Sequence, residues 1–268
     1  MDNLELLEHI KRKTVDYLEI PEEKFENLKD IFPPLSNNEK FVPIKYKDIP
    51  QNYVPYLIWN SGLFARGFLY NNNGMACIIP MADPVLIYFN LAQMNLKQIY
   101  SLKKELLEEF GNKTSVKENS LNIFYVFFGI ASAFIIMLVT SLEAFVNSKI
   151  DKNFSYKKKD GEKCVKVYNC EQIQRWILFE EKVTSILNKE TNKNFAKKHK
   201  SSQEKINQLI KLRNEVIHTK TDNTHKYYEN LYTDMLRFKF NETIMAVRDF
   251  INFYEENLIE QCPCGANN

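Results

Sequence analysis

Between Glu118 and Glu143 the chain carries 24 consecutive uncharged residues, Asn119 to Leu142, rich in Phe, Ile, Val, Leu and Met. A run of this length without Pro is too long for one strand and reads as a helix that is apolar on every side. Two environments suit such a helix. About 20 apolar residues span a bilayer, so a membrane anchor through 119–142 is one of them. The other is the middle of a helical bundle, with extra cover from a second copy. Asn122, Gly129, Ser132 and the polar Ser141-x-Glu143 face argue against lipid contact, as does the lack of Trp at the boundaries. The bundle is the preferred reading and the anchor its alternative.

The 268 residues fit one large domain or two small ones. Seven glycines, none in a GxGxxG or GxxxxGK[ST] arrangement, exclude phosphate loops of the Rossmann and P-loop kinds. Five cysteines, an odd number, and an acidic, amphipathic start suggest a reducing cytoplasm rather than secretion. The formal charge of +2 conceals an uneven distribution: 151–220 holds 17 basic and 9 acidic residues, whereas 221–268 holds 4 and 8. Attraction for a polyanion is therefore concentrated in the middle of the chain.

Residues 2–32 read as helix, broken once at Pro21, and the five prolines of 33–60 favour a packed irregular arm. The β-prone runs on either side of Asn71-Asn72-Asn73-Gly74 signal a hairpin. A helix is expected over 84–110, closed by Gly111. Further helices are expected near 118–150, 171–190, 202–218 and 225–257, the last bent near 239–241, with polar loops at 151–170 and 191–201. The fold class is mainly α: an up-and-down helical bundle over 112–260, an N-terminal α region with a small β-hairpin over 1–111, and a flexible tail at 261–268.

Two charges break the apolar pattern. On helix 202–218 the stripe Ile206, Leu209, Ile210, Val216 and Ile217 contains Arg213, seven residues after Ile206 and three after Ile210. An always-charged guanidinium facing a core demands a carboxylate or a phosphate. Glu143 is the first charge after the apolar run, with Asn147 four residues on along the same face. The economical inference pairs Glu143 with Arg213 across a helix–helix contact, with Asn147 and Asn214 completing the cluster. His218 is five residues from Arg213, about 140° around an ideal helix, so the two converge only if Arg213 reaches back or His218 lies on the last turn.

The segment Arg213-Asn214-Glu215-Val216-Ile217-His218, near a helix end, resembles the RxxxxH signature of HEPN domains, a helical family of prokaryotes and higher eukaryotes. Ser141-Leu142-Glu143-Ala144-Phe145-Val146-Asn147, at the end of a very apolar helix, is similar to that family's first core helix. The resemblance spans roughly 118–258. It implies a dimeric bundle in which two motifs line one cleft and, in many members, an endoribonuclease needing no metal or other cofactor. In that chemistry His218 moves a proton at the RNA 2′-OH or the 5′-leaving oxygen. Arg213 meets the phosphate, Asn214 orients either group, and Glu143 and Asn147 support them. Cyclic phosphate and 5′-OH ends are the implied products.

The expected protein is thus a cytoplasmic homodimeric ribonuclease of the toxin or antiviral-defence kind, with RNA as partner and Lys211 and Lys220 as RNA-binding side chains. An inhibitory or activating partner belongs to the same expectation. Lys220 stands where toxins paired with nucleotidyltransferase antitoxins often carry Tyr, which argues against a partner of that type. The alternatives are a non-catalytic module binding RNA, a nucleotide or a protein, and the membrane-anchored helical protein. Cys262 and Cys264, with Cys164 and Cys170, lack the spacing of common zinc modules, so no metal is expected. His9, His199 and His225 read as surface residues, and Lys157-Lys158-Lys159 as a solvated loop.

Overall fold

The structure is a computed structural model and describes residues 17–19, 44–51, 53, 55–58, 63–111, 120–160, 164–218 and 225–259. The chain divides into two compact units, with the boundary at Asp83 and Pro84.

Among its described residues the first unit forms a small antiparallel sheet. Strand β3, Leu63–Asn72, pairs with β1 (Tyr17–Glu19), β2 (Tyr56–Ile58) and β4 (Met75–Pro80). The β3–β4 hairpin is the one expected at Asn71–Gly74. Asn72 faces Met75 in the register, which leaves Asn73 and Gly74 as a two-residue turn. Both have positive φ, 51° and 89°, the requirement of a type I′ turn and the reason that Asn-Gly suits it. The Asn71 carboxamide caps it, accepting the Gly74 N–H at 2.7 Å. Tyr17–Glu19 corrects the helix expected over 2–32, because these residues extend along β3. The rest of that expected helix, with His9, lies outside the described residues. The proline-rich arm supplies β2 and one 3-10 turn, Tyr46–Asp48. Among its described residues, Pro50 follows the 3-10 turn and Pro55 precedes β2, where Tyr56 pairs with Arg66 of β3.

The second unit is helical and realises the mainly-α expectation. Helix α1 (Pro84–Phe110) and α2 (Ser120–Ser148) run antiparallel in the most extensive helix–helix contact. The Ser141 hydroxyl donates to the Val85 carbonyl near one end, and Ser120 bonds Glu109 near the other. The boundary expected at 111 therefore differs from the observed one, since α1 packs with the bundle that follows it. Along α2, Phe127, Ala131, Phe134, Ile135, Leu138, Leu142, Phe145 and Val146 are buried. Each large apolar side chain buried in this way contributes about 1.5–3 kcal/mol.

After α2 comes a hairpin, β5 (Tyr156–Asp160) with β6 (Cys164–Tyr168), where a polar loop was expected. Lysines at 157–159 hid the strand. Next are α3 (Cys170–Trp176), α4 (Phe179–Glu181), a π-helical segment Lys182–Leu187 and α5 (Asn188–Thr191). Ile177 and Leu178 are extended and break the single helix expected over 171–190. Asn169 starts α3 with a capping box closed by Gln172. Short α6 (Phe195–Lys198) precedes α7 (Lys200–Ile217), α8 (His225–Arg237) and α9 (Phe240–Tyr254). The interruption at 238–239 is the bend expected there. Phe134 meets Phe240 edge-on at 5.2 Å, and Phe195 meets Phe250 at the same spacing, which locks α9 between α2 and α6.

By length and composition α2 is the one helix among the described residues that could cross a membrane. In its most apolar stretch 39% of the residues are buried inside the chain. One stripe stays partly open, running through Asn122, Val126, Gly129, Ala133, Ile136 and Thr140 to Glu143 and Asn147. These positions recur every three or four residues and share a face.

Candidate functional site

The site lies where the C-terminal end of α2 meets α7. Arg213 Nη2 donates to Glu143 Oε1 in a direct ion pair between the two helices. Side-chain exposure is 20% for Arg213 and 36% for Glu143, so the pair is half withdrawn from water and still reachable from outside. Arg213 stays inside the apolar stripe of α7, beside buried Leu209 and Leu212. Its Nη1 donates to Asn214 Oδ1 at 3.1 Å. Glu143, Arg213 and Asn214 thus come together as the sequence reading expected.

Asn147 joins them from one turn further along α2, through a residue the sequence reading missed. Lys182, the first residue of the π segment, is 5% exposed and sends its Nζ to Asn147 Oδ1 at 3.0 Å and to the Gln174 carbonyl at 2.7 Å. Burial pushes the Lys182 ammonium below the usual lysine range, and Glu143 opposes that shift. A π turn carries one residue more than an α turn; the Asn188 N–H reaches back five residues to the Val183 carbonyl. This local widening accompanies the inward turn of Lys182. A signal for it was present in the sequence: Lys182 is three residues after Phe179 and four before Ile186, inside an apolar stripe, as Arg213 is in its own.

His218 ends α7. Its backbone N–H caps the helix on the Asn214 carbonyl at 3.0 Å, its φ and ψ of −110° and 51° have left the helical region, and its side chain is exposed. It therefore occupies the last turn, one of the two ways in which it could approach Arg213. Among the described residues no hydrogen bond joins its imidazole to the Glu143–Arg213 pair. Lys211 lies away from the site, two residues from Arg213 and so on another side of α7, with Glu215 at 3.8 Å. It lines a cleft with Gln208, Asp234 and Arg237. Lys220, Cys262 and Cys264 lie outside the described residues.

The lysine run around 158 is strand, not loop: Lys158 Nζ meets Glu181 at 2.5 Å and Tyr156 donates to the same carboxylate at 2.9 Å. His199 is exposed, as expected, and stacks on Phe195. Cys170 donates to the Ile150 carbonyl at 3.8 Å. Among the described residues no three His, Cys, Asp or Glu side chains gather as metal ligands.

The arrangement offers planar guanidinium donors, a carboxylate that orients them, two carboxamides and a buried ammonium, with an imidazole at the end of the same helix. Such a set can hold an anion of tetrahedral shape. No protein-family model, curated protein or solved structure matches this chain.

Proposed function

We propose that this chain is a metal-independent endoribonuclease, in which Arg213 binds the scissile phosphate and His218 transfers protons. The observation that carries the reading is the Glu143–Arg213 pair, which fixes a guanidinium at a half-open helix contact with an imidazole five residues on. Arg213 neutralises charge developing on the phosphoryl oxygens, and the fork held by Glu143 and Asn214 costs little to reorganise. His218 takes the 2′-OH proton as that oxygen attacks phosphorus, and a protonated imidazole returns one to the departing 5′ oxygen. The two ends formed are a 2′,3′-cyclic phosphate and a 5′-OH. A second copy of the chain, presenting its own Arg213 and His218, completes the cleft in this reading. The open stripe of α2, whose small residues lead to Glu143, supports such an association. In this reading the dimer is cytoplasmic and of toxin or defence type.

Incubation of purified protein with a panel of RNAs in EDTA tests the reading. Wild type should cut and His218→Ala should not; an uncut panel that includes full-length tRNA defeats the proposal. One observation favours a second reading, an RNA- or nucleotide-binding module without cleavage: the His218 imidazole stands apart from the ion pair. Retention of RNA with unchanged termini selects it. Recovery of the protein only with detergent selects instead a membrane anchor through α2.

A further inference from the structure

Lys182 is a buried cation whose two hydrogen bonds both end on neutral oxygens, Asn147 Oδ1 and the Gln174 carbonyl. An ammonium only donates, so the end of Asn147 that faces it is the carbonyl oxygen. A flipped amide would set donor against donor. The Nδ2 end, with two N–H donors, is therefore the end turned away from Lys182. Asn147 sits one turn beyond Glu143 on the half-open face of α2, and Glu143 already holds Arg213. In this cluster Arg213 and Lys182 bring two positive charges and Glu143 one negative. Among the described residues no second carboxylate lies within ion-pair distance of either cation. The excess is positive and partly shielded from water, where an anion binds more strongly than at an open surface.

We propose that Lys182 is a positioning residue of a phosphate-binding site: it locks the Asn147 carboxamide so that Nδ2, together with the Arg213 guanidinium, donates to the oxygens of a phosphodiester. The identification of that phosphodiester as RNA rests on the ribonuclease reading; the anion site itself does not. Asn147→Asp separates this role from a structural one. Aspartate keeps an acceptor for Lys182 and makes it a charged one, while removing both donors and adding a negative charge to the site. A purely structural Asn147 tolerates the change.

The probe is inorganic phosphate, compared with chloride at equal ionic strength, and the readout is the melting temperature. Phosphate should raise that of wild type by about 2–4 °C, as a ligand of the native state alone does. In Asn147→Asp the rise should vanish although melting in chloride is no lower than wild type. In Lys182→Met, which removes the lock without adding a negative charge, it should fall to less than about half. Lys158→Ala, on the β5–β6 hairpin, should keep the whole effect. An undiminished phosphate shift in Asn147→Asp, or none in wild type, overturns the proposal. A phosphate shift that depends on Asn147 in a protein that cuts no RNA leaves the anion site standing and defeats the ribonuclease reading.

Discussion

Glu181 and Glu143 each join a helix to a neighbouring element through a cation, and they differ in balance. Glu181 faces Lys158 of the hairpin, with a hydroxyl from Tyr156: one negative charge and one positive, the Lys158 side chain 43% exposed and the Glu181 side chain 21%. That contact is closed, since no group in it lacks a counter-charge. Glu143 faces Arg213 with Lys182 close behind, partly buried and surrounded by carboxamides. A balanced pair whose lysine is 43% exposed gains little and asks for nothing more. A shielded cluster with a surplus cation is stabilised by an incoming anion, which marks it as a place for a ligand.

The comparison breaks most visibly in activity. Arg213→Ala should lower kcat for RNA cleavage by about 100- to 1000-fold, the loss of one preorganised donor set at a developing charge. Lys158→Ala should leave kcat at the wild-type value, and single-turnover cleavage of one RNA by both variants checks the contrast. Equal losses would erase the distinction between the two clusters.

Stability comes next. Glu143→Ala leaves Arg213 and Lys182 without their shared anion and should cost about 1–2 kcal/mol in urea unfolding. That is below the figure for a fully buried pair because a third of the Glu143 side chain is in water. Removing Glu181 leaves one cation unpaired, Lys158, whose side chain is 43% exposed, and should move the urea midpoint less.

The smallest effects separate the clusters by pH. Lys158 hydrogen-bonded to Glu181 holds that carboxyl below its ordinary value of 4.5. Its contribution is present above that value and is lost as acid protonates it through its lower folded pKa. Lys182 behaves in the opposite sense at the alkaline end. Burial lowers its folded pKa from 10.5, so between the two values the unfolded chain binds more protons. Stability attributable to Lys182 therefore rises with pH in that window. Unfolding at pH 8 and pH 10 should show this gain in wild type relative to Lys182→Met, and the same slope in both would remove the buried ammonium from the account.

Sequence carried the frame of the molecule because its strongest signals are periodic. The uncharged run specified α2, and an arginine within an apolar stripe specified both the α2–α7 contact and Glu143 as partner. Asn73-Gly74 specified its turn through backbone geometry alone. The second hairpin was hidden since Tyr156-Lys157-Lys158-Lys159-Asp160 has no apolar alternation; it is held by cross-strand pairing and by the small core of Ile150, Ile173, Ile177 and Ile186. Lys182 followed the same rule as Arg213 and was passed over because lysines on helices are usually solvated, their long stems reaching water. His218 stands one residue past the helix end, where no period applies.

The Asn73-Gly74 turn also bears on chemical ageing. Asn-Gly pairs decay when the glycine nitrogen attacks the preceding carboxamide carbon, expelling ammonia and forming a succinimide that opens to aspartate or isoaspartate. The attacking nitrogen in this turn donates its N–H to Asn71 Oδ1 at 2.7 Å. Asn71→Ala, which frees that N–H, should therefore speed deamidation at position 73, read as the one-dalton mass gain of the peptide on storage at pH 8.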